Sequence, residues 1–157
     1  MTTKNKAMVS TPPSLKLEDC LGSYEALGEI KSGSRYKKKT IQDIKKQLHR
    51  WMNAESFKPV KGKKLDVAIV IKCSPTRYKN QDTDNISKII CDALKEKKGD
   101  YRYLFNDDSQ IIRLLVWKMR RTDNAHYGTD SYAISFRIHA PNKQMTLVQS
   151  IQYLTIK

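Results

Sequence analysis

Two pairs of carboxylates, Asp82 with Asp84 and Asp107 with Asp108, interrupt a chain whose 30 Lys and Arg outnumber its 16 Asp and Glu, for a formal charge of +14. Carboxylates gathered in one cleft repel one another, and a cation between them is the simplest remedy. A donor set made of oxygen, without His or Cys, suits Mg2+ or Mn2+. Such an ion polarises a phosphodiester and lowers the pKa of an attacking water. Read singly, each notch has a plainer meaning. Asp84 is placed to cap a helix that follows it, and Asp107 with Asp108 to open a strand through an Asx turn. A protein that only gripped phosphate would have no use for four aspartates on a basic surface. The combination points to a metal-dependent enzyme acting on a nucleic-acid phosphodiester.

Composition narrows the classes further. A chain of 157 residues fits one domain with a real hydrophobic core. Its excess of positive charge favours a polyanionic partner, and residues 1–64 carry 15 basic against 6 acidic side chains. Cys20, Cys73 and Cys91 form no C-x-x-C pair and leave one over, and no export signal is seen, so a reduced, cytoplasmic protein is expected. Cys73 and Cys91 sit in apolar patterns and read as core thiols. His49, His126 and His139 lie too far apart for a zinc site. No stretch approaches the roughly 18 apolar residues of a membrane span.

The elements that must position the aspartates follow from periodicity. Ile41, Ile44, Leu48 and Trp51 recur at three and four, which predicts a helix from Thr40 to about Ala54. LDVAIVIKC at 65–73 is a strand buried on both faces in its middle. Ile86, Ile89, Ile90, Ala93 and Leu94 then mark a helix from Asn85 to about Lys97, with Asp84 as its cap. IIRLLVWKMRR at 111–121 reads as a long central strand, joined as a hairpin to the alternating strand 131–139. The fold class is α/β (α+β), a mixed sheet of about four strands with helices packed on it. A right-handed crossover places Asp82 and Asp84 past the end of the 65–73 strand and the 105–110 loop just before the next. Residues 1–39 form a basic segment expected to be partly mobile, and 141–157 a C-terminal extension, either a further strand or a partner-binding arm.

Taken in order, Asp82-x-Asp84-Asn85-x-x-Lys88, Asp92-Ala93-Leu94 and Asp107-Asp108-x-Gln110, ahead of a strand with Lys118, resemble the RusA family of Holliday junction resolvases. Pro12-Pro13-Ser14 echoes that family's early Pro-Pro-Ser, though Leu15 stands where an Asn commonly follows. The resemblance implies a homodimeric endonuclease that resolves four-way DNA junctions by paired symmetric cuts with Mg2+, Mn2+ being an alternative. It carries the catalytic and metal-binding carboxylates over to Asp82, Asp84 and Asp108, with Asp107 a possible addition, and the essential basic residue to Lys88. Asn85, Asp92 and Gln110 match supporting positions.

Phosphate contacts are expected from Arg35, Lys37, Lys38, Lys39, Arg77, Lys79 and Lys118, with Tyr36, Tyr78, Tyr101 and Tyr103 interleaved among the basic residues. Two other readings stay open: a broader nuclease for branched or flap DNA, and a non-catalytic junction-binding protein that explains the charge but leaves both notches as coincidences.

Overall fold

The computed structural model describes residues 14–31, 33–120 and 130–150. Pro12, Pro13, the 121–129 connection and the tail from 151 onward lie outside the described residues. The element order is β1 (Ser14–Leu17), β2 (Gly22–Leu27), α1 (Ser34–Ala54), β3 (Leu65–Cys73), α2 (Pro75–Asn80), α3 (Thr83–Leu94), a 3-10 turn (Asp108–Gln110), β4 (Ile111–Arg120), β5 (Ser131–Ile138) and β6 (Leu147–Ser150). Four strands form a mixed sheet in the order β2-β5-β3-β4, and β1 pairs with β6 in a separate two-stranded ribbon.

Val67, Ile69 and Ile71 share one face of β3 because strand side chains alternate. That face meets Ile44, Leu48 and Met52 of α1 and Ile86, Ile89, Ile90, Ala93 and Leu94 of α3 in one core. Trp51 belongs to this core too, stacked on Tyr24 at 5.2 Å and edge-on to Phe136 at 6.0 Å. Gly22 is needed there, since an added Cβ would come within 2.8 Å of both the Phe136 and the Trp51 rings. The opposite face of the sheet meets the ribbon, where the Leu17 amide donates to Ser135 Oγ at 2.8 Å.

β3 and β4 are parallel, as the crossover through the intervening helices requires. The expected hairpin of 111–121 with 131–139 does not form. β5 instead lies between β2 and β3, antiparallel to both, and β4 is an edge strand rather than a central one. Burial explains the exchange: β5 is buried from Ser131 to Arg137, whereas β4 leaves Ile112, Leu114 and Trp117 exposed.

Charge is buried at the start of β3. Asp66 is fully enclosed, accepts from Arg113 and Arg137, and lies 2.7 Å from His139 Nδ1. Burial pushes its carboxyl up, but the hydrogen bonds from Arg113, His139 and Arg137 outweigh burial and hold it well below the usual carboxylate range. The same arginines donate to Lys143 O, Ala140 O, Glu18 O and Gln144 O, so one carboxylate ties three strands to the chain around both ribbon strands. Among the described residues no helix is long and apolar enough to cross a membrane.

Candidate active site

The acidic segment begins where β3 ends. Ser74 caps the short helix α2, with Pro75 in its first turn where a missing amide hydrogen costs nothing. Gln81 then turns the chain into α3, and the cap of that helix is Asp82, not Asp84: Asp82 Oδ1 accepts from the Asp84 amide at 3.1 Å. Asp84 lies in the first turn, where the helix dipole favours a carboxylate. Both side chains are exposed. The helix stops at Leu94 rather than Lys97 because Lys95 is drawn into a bridge with Phe105 and Lys97 into one with Asp100.

Gln81 is held from three sides. Its amide nitrogen donates to Ile30 O, its side-chain oxygen accepts from Arg77 Nη2, and its backbone carbonyl accepts from Lys118 Nζ. Arg77 also bonds Ile30 O and pairs with Asp130 at 2.6 Å and Glu29 at 3.7 Å. Two residues expected to contact DNA phosphates, Arg77 and Lys118, are therefore engaged in fixing the residue that precedes Asp82. Lys79 stands exposed on α2.

The second notch is built around Gln110. Its Oε1 accepts from the Asn106 and Asp107 amides, and its Nε2 donates to the carbonyls of Val60 and Lys63. Four hydrogen bonds on a buried side chain fix the 3-10 turn and with it Asp108. Asp107 accepts from Ser109 Oγ and is committed to the turn. Asp108 accepts from Lys95 Nζ at 3.1 Å, and the same ammonium lies 4.0 Å from Asp92. The hydrogen bond to Asp108 raises the Lys95 ammonium above its ordinary pKa. Lys95 is the site residue that sequence reasoning missed: as one lysine among many past the end of an apolar face it carries no periodic signal.

Between the notches, Lys88 and Asp108 line one cavity of about 390 Å³, with Ser87 and Cys91 on the α3 side and Ile111, Ile112 and Leu114 from the start of β4. Lys88 is exposed, and among the described residues it forms no ion pair. Burial, with Asp108 and Asp92 nearby, pushes the Cys91 thiol up to about 11, which disfavours the thiolate. Asn85 is exposed in the first turn of α3, and Asp92 pairs with Lys37 at 3.5 Å. That pair brings α1 to the site. Arg35 and Lys37 to Lys39, expected in a loop, occupy the first turns of α1, which begins at Ser34.

The structure thus brings Asp82 with Asp84, and Lys88 with Asp108. Ser87 and Lys88, about one turn after Asp84, line the cavity with Asp108, and Lys95 at the end of α3 bonds the same carboxylate. Among the described residues no three His, Cys, Asp or Glu side chains come together as a metal-holding group. The chemistry of the donors nevertheless fits a hard divalent cation: Asp82, Asp84 and Asp108 offer exposed carboxylate oxygens, and Asp108 already faces a cationic group.

The family model for endodeoxyribonuclease RusA matches residues 26–127, most of the chain. The chain belongs to the RusA family. The matched span runs from the end of β2 through β4 and contains both notches, Lys88 and the cavity. Membership supports a junction-resolving nuclease activity in general, and the mixed four-stranded sheet agrees with it. None of the curated proteins compared with the chain matches it.

Proposed function

We propose that this protein is a Mg2+-dependent, structure-specific endodeoxyribonuclease that resolves four-way junctions by paired symmetric cuts, acting as a homodimer. The observation that carries the reading is the shared cavity of Lys88 and Asp108, on the helix that Asp82 caps, in a chain of charge +14. Asp82, Asp84 and Asp108 would hold the cation, which when bound supplies Lewis-acid stabilisation of the phosphate and a more acidic water.

The chain's own groups do the rest. The exposed carboxylates of Asp82 and Asp84 would orient the attacking water beside the phosphate, its proton passing to solvent. Attack at phosphorus breaks the bond to the 3′ oxygen, which takes a proton from solvent, and leaves a 5′-phosphate and a 3′-hydroxyl. Lys88, with no carboxylate partner among the described residues, is available to neutralise charge that builds on the non-bridging oxygens. Lys95 balances Asp108 until substrate binds. A twofold dimer carries two such sites, matched to the twofold symmetry of a junction.

Calorimetric titration with Mn2+ tests this. Wild type should bind the ion, and Asp82→Asn and Asp108→Asn should each lose it. Equal binding in wild type and both variants would sink the metal reading.

A further inference from the structure

The loop between α1 and β3 carries Lys58, Lys61, Lys63 and Lys64, all exposed. Among the described residues none of the four is in an ion pair, whereas Lys37, Lys45, Lys72 and Lys95 each are. Like charges so close together in sequence repel, and a long basic loop would ordinarily relieve this by moving. Here it is fixed. Val60 donates to Leu104 O at 2.7 Å and bridges Phe105, and the Val60 and Lys63 carbonyls both accept from Gln110 Nε2. The Lys64 carbonyl accepts from the His139 amide at 2.9 Å. Gly62, at φ +67°, supplies the turn that lets its neighbours' carbonyls point inward while the lysine side chains remain in solvent. Lys61 Nζ also lies 6.0 Å from the Tyr103 ring centre.

The anchor is the informative part. Gln110 is the same buried side chain that holds the turn leading to Asp108, through the Asn106 and Asp107 amides. One amide group thus ties the backbone that carries these lysines to the turn leading to Asp108. We infer that Lys61, Lys63 and Lys64 form a rigid phosphate-binding track that holds a DNA arm leading away from the reacting phosphate on the Asp108 side. This rests on the nuclease reading above for the identity of the polyanion. It adds a binding surface separate from the basic first turns of α1 and from α2.

The test is binding of a fluorescently labelled four-way junction by the full chain in EDTA, across a series of KCl concentrations. Lys61→Gln, Lys63→Gln and Lys64→Gln combined should make the slope of log affinity against log salt shallower by up to about 2.7, at about 0.9 for each phosphate left unneutralised. The corresponding triple Lys→Arg variant, which keeps the charge, should retain the wild-type slope. An unchanged slope in the Gln variant would overturn the proposal, as would an equal flattening in the Arg variant. Cleavage by wild type in Mg2+ separates the two readings: binding with the expected slope change but no cutting refutes the nuclease and leaves the track, whereas cutting with an unchanged slope refutes the track alone.

Discussion

Lys88→Ala should bind a four-way junction within a few-fold of wild type yet cleave it about 10²-fold more slowly or worse. The side chain lines the cavity with Asp108 and, among the described residues, has no ion-pair partner whose loss would unsettle the fold. Its contribution is concentrated where charge grows on the phosphate, so the loss falls on the chemical step rather than on affinity. A hundredfold corresponds to about 2.7 kcal/mol of transition-state stabilisation. Single-turnover cleavage at saturating protein isolates that step. A rate equal to wild type would remove Lys88 from the chemistry, and a weakened affinity with an unchanged rate would make it a grip residue like those of α1.

Asp66→Asn should instead fail by unfolding. Removing the charge leaves Arg137 buried beside Arg113 without its counter-ion, and breaking a buried pair in this way costs about 3–5 kcal/mol. The pH dependence has a definite sign. The carboxyl of Asp66 is depressed in the folded state, so its stabilisation is fully present above the unfolded Asp value of about 3.9 and is lost as pH falls through the lower folded value. Urea midpoints of wild type should therefore hold from pH 7 to about 5 and decline below about 4, with Asp66→Asn lower throughout and flatter on the acid side. Parallel acid limbs in the two proteins would show that Asp66 does not carry this dependence.

The parts of this molecule legible in sequence are those set by local pattern. β3 and α3 are readable because their apolar residues repeat at two and at three to four, and the parallel pairing of β3 with β4 follows from the crossover between them. The order of the sheet is not readable, since the choice of β3 over β4 as β5's antiparallel neighbour depends on packing between segments far apart in sequence. β1 and β2 escape notice because SLKL and GSYEAL are too short to show a period. The start of α1 is hidden by six residues, Ser34 to Lys39, whose only large apolar group is Tyr36. At the site, residue types point to the two pairs of aspartates and the resemblance to the RusA family singles out Asp82, Asp84, Asp108 and Lys88, but neither shows which aspartate caps α3. Nor can charge alone show that Arg77 and Lys118 turn inward to backbone and acid partners while the lysines at 61–64 do not.

The central claim is that the two notches and Lys88 serve paired cutting of branched DNA. The direct measurement is incubation of wild type with synthetic four-way junction, flap and duplex DNA, with and without Mg2+, followed by mapping of the cut positions on every strand. Paired nicks at symmetry-related positions of the junction, dependent on Mg2+ and absent from duplex, are the predicted result; junction binding without any cut product, or equal cutting of flap and duplex, would contradict it.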